Sequence, residues 1–357
     1  MEKTTRNYSF DFLKILATVA IVFHHFQQIT GVKYDNFINF FGDWFNWGYL
    51  VEFFFILSGY FMYRYIPKIQ EGKITLLEWW KKRAIRLLPM VAVSVIAFEI
   101  ILYTYNSLYG IKWWNTDLSI WGSVIAMLGI QTGWGFLDPL INNPIWYVSV
   151  LIACYLIFYA FTALSAKINC KAAYFYVFFI LLGIGIATYN INLPFLNLQM
   201  GRGYYSFFFG LLLASYVNKN GVGKKEIIVS LICVASFILL CIFAPNYASV
   251  NHNYILTFIV YPAIVMLFET NIAKRIFKHR VWGTLSGISF EVYLWHLPLL
   301  LLSYVVIKWL NWNVAFESLG GMLVFLLISC AVGTLMYFAV ERPVMKLFTE
   351  RKKKNYE

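Results

Sequence analysis

Apolar residues run through this chain in long blocks, without the strict alternation of a half-buried strand or the single stripe of a surface helix. Scanned with a window of about twenty residues, the blocks fall at about 11–30, 46–65, 87–105, 145–164, 172–189, 204–217, 227–244, 254–268, 286–307 and 318–340. This pattern predicts an all-α integral membrane protein, a bundle of ten transmembrane helices. One further stretch, "LSIWGSVIAMLGIQTGWGF" at 118–136, is moderately apolar but broken by Gly and Trp-Gly steps.

Composition supports the membrane reading: 61% of the 357 residues are hydrophobic and only 13% charged, against roughly 25% charged in a soluble domain. Charge then settles the number of spans, because cytoplasmic loops collect Lys and Arg. With ten spans, the N-terminal tail, alternate loops and the C-terminal end hold 24 of the 29 Lys and Arg, and the opposite side holds four: Lys33, Lys112, Arg202 and Lys308. Lys14, inside the first block, completes the set. Both termini are therefore expected in the cytoplasm. Counting 118–136 as an eleventh span would swap the sides of every later loop and destroy the asymmetry, so it is read as an outward-facing interfacial or re-entrant element.

The net charge of +12 lies in short loops beside apolar blocks, where topology and anionic lipid explain it and no nucleic-acid partner is needed. Five cysteines, an odd number without C-x-x-C spacing, read as free, buried thiols. No A-x-A-type cleavage site follows the first block, so that block is expected to stay as a helix. No repeat of about 20–50 residues stands out. The chain reads as one transmembrane domain over 8–349 with a basic cytoplasmic tail at 350–357.

The first block, "FDFLKILATVAIVFHHFQQITG" at 10–31, carries an Asp, a Lys and two adjacent His. A charge at the bilayer centre costs at least about 2.5–3.5 kcal/mol on insertion scales, so such residues are functional candidates. At about 100° per residue, His25 lies about 20° from Lys14, while Asp11 and Thr18 lie about 60° and 40° from it. These four make one polar stripe that must face the bundle interior. His24 points about 100° away from His25, which makes His25 the candidate reactive imidazole and gives His24 a packing or supporting role. Glu52, in "GYLVEFFFILSGYFM", sits at a depth matching His25. A carboxylate beside an imidazole fixes its tautomer and raises its basicity; alternatively Asp11 with Lys14 and His25 with Glu52 are mutual neutralisers that fix helix register.

The densest basic cluster is "EWWKKRAIRLLP" at 78–89. Arg83 and Arg86, three residues apart on one helix face, suit bidentate phosphate binding, with Trp79 and Trp80 as interface anchors. A lipid-facing, positive-inside anchor is the other reading of the same residues.

Assembled in order, these segments resemble the acyltransferase 3 family of multi-spanning membrane proteins, over nearly the whole chain. Lys14 and His25 stand at the spacing of the family's opening motif; "VEFFFILSGYF" from Val51 to Phe61 resembles its V-D/E-x-F-F-x-L-S-G-F signature. "RAIRLLP" resembles R-x-x-R-x-x-P at Arg83, Arg86 and Pro89; "YLWHLP" resembles Y-L-x-H-x-P at Tyr293, His296 and Pro298; and "VERP" at 340–343 resembles the E-x-P ending. Ten spans with both ends inside is also what the family shows. One departure stands out: the family's W-S-x-x-x-E has Trp146 here, in "IWYVSVLIACY", but no counterpart of its Glu.

The resemblance implies a membrane O-acyltransferase, most simply an O-acetyltransferase, that moves an acyl group from cytoplasmic acyl-CoA to a hydroxyl of an envelope polysaccharide or glycolipid. On it, His25 is the general base or carries the acyl group for one step. Lys14 and Asp11 orient the donor end of the passage, Arg83 and Arg86 hold the phosphates of acetyl-CoA, and Glu52 or Glu291 supplies the missing carboxylate. A soluble enzyme finishing the transfer outside is a compatible partner, and the expected location is the cell membrane, multi-pass. The rival class is a transporter or flippase of envelope precursors without acyl chemistry, which would favour Gly/Pro-broken spans in related halves; none are evident.

Blander assignments accompany these. His296, two residues before Pro298 and five after Glu291, is read either as catalytic or as a hydrogen-bonding residue across the bundle. Ser58 and Gly59 are read as permitting close helix contact. Arg202 either meets an anionic acceptor or snorkels. Glu341 and Arg342 are expected to cap and pair locally. His252 and His279 lie in loops without metal spacing, and no metal is expected. Trp113, Trp114 and Trp134 are candidates for stacking on sugar.

Overall fold

The computed structural model of the chain describes residues 6–35, 39–42, 45–113, 116–135, 141–244 and 253–347; the expected tail at 350–357, Trp114 and His252 lie outside them. Among the described residues the fold is all helix, with no strand beyond an isolated bridge between Leu193 and Leu196. The helices are α1 (Tyr8–Thr30), α2 (Leu50–Met62), α3 (Ile66–Gln70), α4 (Leu76–Tyr109), α5 (Ile120–Met127), α6 (Trp146–Lys167), α7 (Ala172–Tyr189), α8 (Leu198–Asn220), α9 (Lys224–Phe243), α10 (Tyr261–Glu269), α11 (Asn271–Ile276), α12 (Val281–Trp309) and α13 (Leu319–Met336). Two π-helical turns, Leu256–Val260 and Tyr337–Glu341, precede α10 and follow α13.

Every one of the ten expected stretches is helical, but among the described residues seven helices are long and apolar enough to cross a membrane. The three that fall short do so for physical reasons. α2 has only 13 residues between two 3₁₀ turns, the Asn253–Glu269 helix is short, and α8 carries Arg202, Asn218, Lys219 and Asn220 along its length. Apolar exposure is what a lipid-facing surface requires: on α9, Ile228, Leu231, Ile232, Leu239 and Ile242 are all exposed.

Local signals set the ends. Asn7 caps α1 by accepting from the Ser9 N–H, and Gly31 closes it at φ 70°. Thr75 and Glu78 form a capping box at the start of α4, so the basic segment from Lys81 to Arg86 is helical and continuous with the apolar run behind it. At about 1.5 Å per residue, this helix of 34 residues outruns a hydrocarbon core of about 30 Å.

The 118–136 stretch yields the eight-residue α5, about 12 Å long and too short to cross. Ser119 caps it, and Glu99 of α4 accepts from the Ser123 hydroxyl at 2.5 Å and from the Ser119 N–H at 3.4 Å. Further on, Ser149 of α6 donates to the Gln131 carbonyl at 2.7 Å, and Trp134 donates its indole N–H to the Ser149 carbonyl. Trp134 thus has its polar edge engaged within the protein.

The chain divides into two compact units, Met1–Tyr63 with Ser206–Ser289, and Arg64–Tyr205 with Phe290–Glu357. The first is built on α1, α2, α9, α10, α11 and parts of α8 and α12, around a core that includes Phe10, Leu13, Phe53, Ile56, Leu213 and Val260. Here α2 and α8 meet backbone to backbone. A Cβ on Gly59 would strike the Phe207 carbonyl, and one on Gly210 would strike the Ile56 carbonyl, so Gly59 serves close helix contact as its sequence context suggests. In the second unit, Gly333 of α13 gives the same closeness to the backbone at Val292 of α12.

All five cysteines are unpaired, as the sequence implies; Cys154 and Cys241 are buried, while Cys170, Cys233 and Cys330 are half-buried.

Candidate functional site

In the first unit the polar stripe is real. Asp11 and Thr18 are buried, Lys14 and His25 are half-buried, and Leu16, about 200° from Lys14, is exposed. The base of α1 is tied down by polar contacts. Arg6 Nε pairs with Asp11 Oδ2 at 2.6 Å and Arg6 Nη2 donates to the Gly283 carbonyl at 3.2 Å, while Asn7 donates to Glu269 and Ser9 to the Phe268 carbonyl at 2.5 Å. Lys14 Nζ lies 3.5 Å from Asp11 Oδ1 and 4.7 Å from the Phe61 ring centre. Asp11 therefore sits between two cations. Sequence reasoning missed Arg6, since it lies ahead of the first apolar block at about 11–30 and its basic charge was absorbed into topology.

At the other end of α1 the two imidazoles part company. His24 is buried, and its Nδ1 lies 2.8 Å from the Phe40 carbonyl. A carbonyl only accepts, so this nitrogen carries the proton. A side chain at Gly48 would meet the His24 ring, and Gln27 reinforces the same loop by bonding Asn39 at 2.8 Å and the Phe40 N–H. His24 thus holds the loop that leads into α2. His25 Nδ1 lies 2.9 Å from Gln28 Oε1. That oxygen also only accepts, so the proton is on Nδ1 and Nε2 carries the lone pair, as a base requires. Glu52 is fully buried in the first turn of α2, where the helix N-terminus favours a negative charge.

The second unit holds the other predicted residues. Arg83 is enclosed by aromatic rings: its guanidinium carbon is 3.1 Å from the Trp79 ring centre, 5.0 Å from Tyr65 and 5.6 Å from Tyr155, and Nη1 donates to the Trp79 carbonyl at 2.9 Å. Such stacking holds a guanidinium in one orientation. Arg86, one turn on, is exposed and lies within electrostatic range of Glu341. The pair predicted to act alike is thus unequal, one caged and one presented.

His296 is fully buried in α12, with Nδ1 2.7 Å from the Tyr293 carbonyl of its own helix. Pro298 has no N–H to give to the Leu294 carbonyl four residues back; Asn142 supplies the missing donor at 3.1 Å, with Ser94 Oγ at 3.3 Å from the same amide nitrogen. Asn142 is buried at φ 49° just before α6, and Tyr293 donates its hydroxyl to the Pro144 carbonyl at 2.5 Å. Sequence reasoning passed over Asn142. The available signal was the carbonyl that Pro298 must orphan. Replacing Asn142 with Leu leaves that buried carbonyl unpaired, and the expected result is a loss of about 1–3 kcal/mol, read as a lower melting temperature in detergent, with Asn142→Gln recovering part of it.

Arg202 stacks over Trp146 at 5.0 Å, so this cation is packed on an aromatic face, while remaining half-buried. Glu291 is fully buried beside Glu341. Among loop residues, His279 accepts from the Val281 N–H at 3.2 Å and caps α12.

A polytopic helical protein with buried carboxylates, imidazoles and a tethered lysine inside its apolar spans is built for chemistry in or across a membrane. The profile of the Acyl_transf_3 family, an acyltransferase domain, matches residues 7–338, and the chain belongs to that family. No curated protein matches the chain, and no solved structure does. Family and fold together make it a membrane acyltransferase.

Proposed function

We propose that the protein moves an acyl group, acetyl by preference, from acyl-CoA in the cytoplasm to a hydroxyl of an envelope polysaccharide or glycolipid, with both chain ends in the cytoplasm. The observation that carries this reading is His25: a half-buried imidazole on the polar face of a membrane helix, with Nδ1 held by Gln28. Nε2 takes the proton of the acceptor hydroxyl as that oxygen bonds to the thioester carbonyl carbon. The carbon–sulfur bond then breaks, and the CoA thiolate leaves and takes up a proton. Glu52, buried in the first turn of α2, supports the imidazolium that forms. Asp11 and Lys14 make the donor end of the path, with Arg6 fixing Asp11.

Arg86 offers an exposed guanidinium to phosphate, and Arg83, fixed by Trp79, keeps the helix face that presents it. The asymmetry of 24 basic residues against four supports the orientation that puts this face toward cytoplasmic acyl-CoA.

The test is direct. Purified protein in lipid nanodiscs is given acetyl-CoA labelled in the acetyl group, and envelope carbohydrate from cells with and without the gene is compared by mass spectrometry. The expected outcome is label transfer and the loss of one acyl group from a glycan when the gene is absent. No binding of labelled donor and an unchanged glycan profile would instead favour a transporter of envelope precursors.

A further inference from the structure

Glu291 and Glu341 are not explained by the chemistry above. Glu291 is fully buried in the middle of α12, its carboxyl group faces that of Glu341, and the Trp295 indole is close by. Among the described residues neither carboxyl oxygen of Glu291, nor Oε2 of Glu341, has a hydrogen bond of good geometry; the Trp295 indole N–H, itself without a partner, is the donor nearest to Glu291. A carboxylate buried without a donor is costly, and two carboxylates side by side away from water do not both stay charged. A single proton resolves both problems, because the O–H of one carboxyl then donates to the other.

The backbone marks the same place. Glu341 closes the π-helical turn Tyr337–Glu341, a wide turn that is rare in helices and concentrates at functional sites. This turn packs against α4, the helix that carries Arg86, and Arg86 is the cation whose charge Glu341 feels.

We infer that Glu291 and Glu341 form a one-proton carboxyl pair whose remaining negative charge positions the exposed Arg86 guanidinium for the phosphate of the acyl donor. This rests on the donor reading given above. Both glutamates are positioning residues, since they act through Arg86 and touch no reacting atom.

Two measurements test it. Infrared spectra of the purified protein without donor, at neutral pH, are expected to show a protonated-carboxyl band that disappears in Glu291→Gln. In label-transfer assays Glu291→Gln, which is neutral and still donates a hydrogen bond, is expected to match the parent. Glu291→Ala and Glu341→Gln are expected to raise the KM for acetyl-CoA about tenfold with kcat within about twofold, the mark of lost donor binding. The inference is overturned if no carboxyl band is lost in Glu291→Gln, if Glu291→Gln is as impaired as Glu291→Ala, or if Glu341→Gln leaves KM unchanged or lower. If the parent fails to turn over labelled acetyl-CoA, the proposed function falls, while the infrared band still reports on the carboxyl pair.

Discussion

Replacing His25 with Ala is expected to cut acyl transfer by about 10²–10⁴-fold, the range that a general base contributes, while leaving the fold and donor binding intact. The side chain is half-buried and bonds Gln28 within the same helix, so its loss opens little of the core. His24→Ala is expected to behave in the opposite way. That ring is buried, bonded to the Phe40 carbonyl and packed at Gly48, so the variant loses thermal stability and its activity falls in proportion to the folded fraction. Gln28→Leu lies between them, since the imidazole stays but its Nδ1–H loses its acceptor and the tautomer is no longer fixed. Turnover of labelled acetyl-CoA, donor binding and melting temperature, measured on all three, separate these outcomes. A His25→Ala protein as active as the parent would sink the proposed chemistry.

The second large effect is structural. Gly59→Val is expected to prevent assembly of the first unit or to lower its stability by at least the upper end of the roughly 1–3 kcal/mol typical of overpacking. The reason is that a Cβ there meets the Phe207 carbonyl, which belongs to a helix backbone and cannot rotate away. Gly210→Val is expected to do the same against Ile56. Gly185→Ala, with nothing within 4 Å of the new carbon, is the control and should be neutral or slightly stabilising. Monodispersity after detergent extraction and the melting temperature read this out; a monodisperse Gly59→Val protein melting with the parent would show that α2 and α8 do not pack as described.

The placement of Lys14 and His25 on one face could be read from sequence because an α-helix fixes the angle between residues eleven apart, whatever surrounds it. The buried Asp11 and exposed Leu16 carry that face into the structure. Gly59 was legible for a similar reason, as a small residue inside an apolar span has few uses other than close approach. Arg83 and Arg86 show where such reasoning stops. Their spacing puts them on one face, yet only the fold brings Tyr65 and Tyr155 around Arg83 and sets Glu341 near Arg86. Asn142 was invisible because its role is to answer a carbonyl 152 residues away in sequence.

By itself, the sequence determined that this is a helical membrane protein, where its helices lie, and which of its polar residues are costly enough to demand a use, because desolvation and helical periodicity are local properties of the chain. Tertiary structure alone decided which imidazole holds a loop, which rings enclose Arg83, and that Asn142 answers the carbonyl that Pro298 orphans. Those outcomes depend on partners supplied by distant segments, and a hydrogen bond or a charge contact has no local signature until the chain has brought both halves together.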